Sequence, residues 1–73
     1  MTNPIVGEPT RSLGEIASDY APYNKFPTFY EGVEDYRAGV FDRRYANGLD
    51  QQAYDRGSEC AMRFARQAHG YEA

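Results

Sequence analysis

The stretch Thr28-Phe-Tyr-Glu-Gly-Val-Glu-Asp-Tyr-Arg-Ala-Gly39 decides the fold of this chain. Phe29, Val33, Tyr36 and Val40 recur at spacings of four, three and four, which lays them along one stripe of an α-helix. Thr28 stands where such a helix begins, with Glu31 three residues on in the capping-box position. Gly39 supplies the residue type that most easily takes left-handed geometry at a helix C-terminus. Glu31, Glu34 and Asp35 fall on the face opposite the apolar stripe. A helix with one apolar side needs a second element to cover it.

That element lies downstream. Asp50 is placed to cap a helix running to about Ala68, before Gly70 stops it. Ala53, Gly57, Cys60, Ala61, Phe64 and Ala68 share one face, flanked by Tyr54 and Ala65. Most are small, so another helix can approach closely, with Phe64 and Tyr54 as the larger knobs. The opposite face carries Asp55, Glu59 and Arg66, with Glu59 and Arg63 spaced as an ion pair and Met62 outward. Residues Val40 to Gly48 form the connector, ending in an Asn47-Gly48 turn signal.

Upstream, Ser12 and Glu15 spell a capping box for a short helix whose apolar side is Leu13, Ile16, Ala17 and Tyr20. Pro22 ends it, because proline disfavours helical geometry in the residue before it. Tyr20 to Pro27 is an aromatic connector in which Tyr23 and Phe26 roof the core. The expected fold class is all-α: a small helical hairpin of two main helices plus a short N-terminal helix. Residues 1–11 read as an extended N-terminal arm and 12–73 as a single helical domain.

A chain of 73 residues builds one domain with a marginal core. Its single cysteine cannot form an internal disulfide, and no Cys/His cluster has zinc spacing. Stability must come from helix packing or from a second copy, so a homodimer is one expectation. Lone Cys60 reads as a buried apolar residue, and lone His69 has no orienting partner for catalysis. The chain is therefore expected not to be an enzyme and to carry no cofactor or metal. No apolar run approaches the roughly 20 residues that cross a bilayer. Residues Met1 to Gly7 lack the basic start and apolar stretch of a signal peptide. A soluble, cytoplasmic protein with no membrane partner is the expectation.

Eleven carboxylates against eight basic residues give a formal charge of −3, unevenly spread. Residues 1–35 hold six acids against Arg11 and Lys25; residues 36–73 hold five acids against six arginines. The acidic balance argues against direct DNA binding, which depends on Lys and Arg neutralising phosphates. It favours a basic partner surface. Glu31, Glu34 and Asp35 either imitate phosphates toward that partner or form a solvated helix face. Asp19 and Asp42 are positioned to extend the patch if the fold brings them there. Tyr30, beside the acidic face, and then Tyr45 are the aromatic interface candidates, because tyrosine joins apolar area to a polar tip. Arg43 and Arg44 suit either phosphate contact or a local ion pair.

Gly32-Val-Glu-Asp-Tyr-Arg-Ala-Gly39, a connector with Arg43 and Arg44, and Ala53-Tyr-Asp-Arg-Gly57-Ser-Glu-Cys-Ala-Met62 together resemble the ribosome modulation factor family over residues 29–66. That resemblance implies a two-helix protein that binds the ribosome through basic residues and promotes hibernating ribosome dimers. This chain departs from it by exposing Glu31, Glu34 and Asp35, while Arg37, Arg43, Arg44, Arg56 and Arg63 lie near the family's pattern. The whole chain also resembles the small acidic anti-CRISPR proteins that phages and mobile elements make against type I systems, including the type I-C surveillance complex. This second resemblance implies an inhibitor that mimics DNA and occupies the duplex-binding surface of that complex.

Overall fold

Each helix begins and ends on an identifiable local device. The computed structural model describes residues 10–68. Within them lie α1 (Leu13–Ala17), 3-10 turns at Ser18–Tyr20 and Tyr23–Lys25, α2 (Pro27–Ala38) and α3 (Gly48–Ala68). The fold is all-α, with no strand among the described residues. The Ser12 hydroxyl accepts from the Glu15 amide at 3.1 Å, and the Glu15 carboxylate accepts from the Ser12 amide at 2.9 Å. The expected capping box is therefore formed in full.

α2 starts one residue earlier than the sequence suggests. Pro27 occupies its first turn, where a fixed φ suits the helix and a missing amide costs nothing. Thr28 is thus drawn inside the helix, caps nothing, and its buried hydroxyl has no partner. Gly39 closes α2 at φ 79°, with its own amide on the Tyr36 carbonyl and the Val40 amide on the Asp35 carbonyl. Those two bonds are a Schellman closure. They turn the chain before Val40, which leaves the apolar stripe and stands exposed. α3 is capped by Asn47 rather than Asp50: the Asn47 side-chain oxygen accepts from the amides of Leu49 and Asp50 at 2.8 and 3.1 Å.

The hairpin closes through glycine. A Cβ on Gly57 would lie 1.8 Å from the Phe29 carbonyl oxygen, and one on Gly32 would lie 2.1 Å from that of Tyr54. Only hydrogen fits between the two backbones at either point. The core gathered around this crossing is Ile16, Ala17, Phe29, Val33, Ala53, Cys60 and Ala61. Tyr20, Tyr23, Phe26, Tyr36 and Phe64 pack around it, half-buried. Phe64 is therefore a flank of the core, whereas Tyr54, read from sequence as a flank, is buried. Met62 is half-buried rather than outward.

The layer made by α1 and the 3-10 turns is fastened along α3, with Tyr23 reaching Gln52 in its N-terminal half and Arg11 and Asp19, either side of α1, tied to its C-terminal half. Asp19 sits between Arg11 and Arg63, at 3.0 and 3.1 Å, and the Arg63 guanidinium lies 5.5 Å from the centre of the Tyr20 ring. Arg63 is thereby taken from Glu59, which pairs instead with Arg56 at 3.6 Å. The Gln67 side chain holds both the amide and the carbonyl of Arg11. Of the arm expected over residues 1–11, Arg11 is tied to α3, and residues 1–9 lie outside the described residues, as do His69 and Gly70.

Candidate partner-binding site

α2 turns its solvent side toward a shallow hollow of about 440 Å³, lined by Pro27, Tyr30, Glu31, Glu34, Asp35 and Arg43. Four of the seven residues expected to contact a partner line it, Tyr30, Glu31, Glu34 and Asp35, and a fifth, Tyr45, bonds to Glu31. They play different parts. Tyr30 is 45% exposed, its ring edge-on to the buried Phe29 at 5.0 Å, which fixes its orientation from below. Glu34 is exposed and makes no ion pair among the described residues. Glu31 is exposed and accepts a hydrogen bond from the Tyr45 hydroxyl.

Asp35 departs from the sequence expectation. Although it lies one and four residues from its acidic neighbours, it is buried at 9% exposure and accepts three hydrogen bonds. Arg43 grips both of its oxygens, Nε at 2.7 Å and Nη2 at 3.3 Å, and the Tyr54 hydroxyl donates to Oδ2 at 2.7 Å. Arg43, and after it Tyr54, hold the Asp35 carboxyl below its ordinary range, while burial and then Asp35 push the Tyr54 phenol up. Asp35 is thus an ion-paired joint between α2, α3 and the connector, with both of its oxygens already bonded within the fold. Arg43 cancels its charge. The negative character of the hollow comes from Glu31 and Glu34.

The remaining candidates scatter. Tyr45 is half-buried against Tyr54, their ring centroids 5.4 Å apart, and its phenol is pushed up to about 12 by burial and by the bond to Glu31. It braces Glu31 from behind. Asp42 is exposed in the connector but does not line the hollow. Asp19 belongs to the other end of the hairpin: its partner Arg63 and the Asp35 partner Tyr54 are nine residues apart on α3, roughly 13 Å of helix. Its carboxyl is held low by Arg11 and then Arg63, so it adds no free charge to the patch.

No family model, curated protein or solved structure matches this chain. The arrangement must be read on its own chemistry. Among the described residues no group of three His, Cys, Asp or Glu could hold a metal ion, and no helix is long and apolar enough to cross a membrane. Cys60 is buried, and burial pushes its thiol up, away from the thiolate that nucleophilic chemistry needs.

Sequence reasoning missed Pro27 and Tyr54 as residues that shape the site, and offered a local ion pair for Arg43 without finding its partner Asp35. Pro27 lines the site. Arg43 and Tyr54 remove Asp35 from it. The Asp35–Arg43 pair spans eight positions across a non-helical connector, so no periodicity signals it.

Proposed function

We propose that this protein is a non-catalytic inhibitor whose acidic α2 face binds a basic nucleic-acid-binding surface, acting in the cytoplasm of a host cell. The target proposed is a type I CRISPR surveillance complex, of the I-C kind, with its DNA-binding surface occupied by DNA mimicry. The observation that carries this reading is the pairing of Glu31 and Glu34, exposed and in no ion pair among the described residues, with the exposed ring of Tyr30 at one hollow. Two carboxylates about one helical turn apart suit arginines or lysines that otherwise grip phosphates. The tyrosine adds a stacking surface for the same cations.

A second reading, a ribosome-associated factor, is favoured by one observation: Arg37 and Arg44 are exposed and also in no ion pair among the described residues. One pair of variants separates the two. Glu31→Lys with Glu34→Lys is expected to weaken binding to a type I complex by about tenfold or more, through lost attraction and added repulsion. Arg37→Glu with Arg44→Glu is expected to leave that binding within about threefold. Loss of ribosome binding on the arginine reversal, with the carboxylate reversal silent, sinks the inhibitor reading.

A further inference from the structure

The layer of α1 and the 3-10 turns covers one end of the hairpin and leaves the other bare. Its last side-chain hydrogen bond toward the connector runs from the Tyr23 hydroxyl to Gln52, at 2.8 Å. Past that point the apolar stripes of both helices continue. Phe29 crosses α3 at Gly57 and Gly32 crosses it at Tyr54, a register that carries Tyr36 level with residue 50. Leu49 lies one turn before Ala53 on the same side of α3, yet it is 49% exposed where Ala53 is wholly buried. Phe41 stands edge-on to Tyr36, ring centroids 5.6 Å apart, and is 63% exposed, with Val40 exposed beside it.

The charges bordering this bare end say what covers it. Arg37 follows Tyr36, Asp42 follows Phe41 with Arg44 two residues further on, and Asp50 follows Leu49. None of the four is in an ion pair among the described residues. Two positive and two negative groups around an apolar centre are self-complementary. A uniformly basic or acidic partner would set like charge against two of them, while a twofold-related copy can match all four.

We infer that this end is the interface of a twofold homodimer. Phe41, Val40 and Leu49 of one copy pack on the same residues of the second, and Arg37 and Arg44 of each meet Asp42 and Asp50 of the other. The site is separate from the hollow beside Glu31 and Glu34, and the inference does not depend on the target proposed for that hollow.

Light-scattering mass of the full chain across a concentration series, with circular dichroism to verify folding, tests this. The wild-type chain is expected to move from 8.3 kDa toward twice that mass as concentration rises. Phe41→Glu and Leu49→Glu are each expected to raise the dimer dissociation constant about thirtyfold or more with helicity unchanged. A wild-type chain that stays monomeric at every concentration, or a dimer that survives both substitutions, overturns the inference. If either variant is unfolded, charge exchange decides instead. Arg37→Glu with Arg44→Glu, and Asp42→Arg with Asp50→Arg, should each fail to self-associate but dimerise when mixed; no dimer on mixing also overturns it.

Discussion

On the side of α2 that meets α3, the backbones touch: Gly32 and Gly57 leave no room for even one carbon. On the side that meets solvent, Tyr30, Glu31 and Glu34 border an open hollow and make few internal bonds. The two sides belong to one twelve-residue helix. A very small chain thus divides its labour between the two faces of one helix. Residues whose replacement moves a backbone hold the fold, and residues backed by a rigid neighbour but facing water remain free to bind. Asp35 lies at the boundary and falls on the structural side, because Arg43 and Tyr54 bind both of its oxygens.

The sharpest way to break this division is Gly57→Ala. Alanine is the better helix former by about 1 kcal/mol, so an open face would be stabilised. Here the added carbon meets a carbonyl oxygen at 1.8 Å, and the helices must part. The expected cost exceeds the roughly 1–3 kcal/mol of ordinary overpacking and is enough to unfold a domain this small. A thermal melt at or above the wild-type midpoint would show that the helices do not cross there.

Next in size is Phe29→Ala. Phe29 is wholly buried, and its loss is expected to cost about 3–5 kcal/mol. Phe64→Ala, at the half-buried flank, should cost clearly less. Urea titrations of both variants order them, and the reverse order would relocate the centre of the core.

Asp35→Asn comes third, and it carries a pH signature. The folded-state carboxyl lies below its ordinary value of 3.8, so its stabilising contribution is complete above the unfolded value and lost as pH falls through the folded one. The wild-type melting temperature should therefore drop below about pH 4 more steeply than that of Asp35→Asn. At neutral pH the variant should melt earlier than Asp19→Asn, whose pairs with Arg11 and Arg63 are more exposed. Equal melting temperatures for the two would put Asp35 back among the free carboxylates of the face.

Tyr45→Phe is the smallest change. It removes only the bond to exposed Glu31, worth about 0–1 kcal/mol. A large loss of stability would mean that Glu31 belongs to the fold as Asp35 does.

What the sequence reveals and what it hides follow from the range of each interaction. Ser12 with Glu15, and Gly39, are legible because every partner lies within four residues. The amphipathic stripes are legible because helical period alone places Phe29, Val33, Ala53 and Cys60 on facing sides. Capping by Asn47 is hidden because Asp50 is as good a cap by type, and only the chain path chooses between them. Thr28 misleads because Pro27 is an equally sound first residue. Of the acidic face, Glu31 and Glu34 lie where period puts them. Asp35 is recruited by an arginine from the connector and a tyrosine from α3, contacts that exist only once the hairpin closes.

In the function proposed above, Glu31 and Glu34 take the place of nucleic-acid phosphates on a basic surface. Competition between the wild-type protein and duplex target DNA for a type I surveillance complex measures this directly. Mutual exclusion is expected, weakening as salt rises, with no displacement of DNA by folded protein carrying Glu31→Lys and Glu34→Lys. A complex that holds DNA and this protein together, or displacement undiminished by the double reversal, would contradict it.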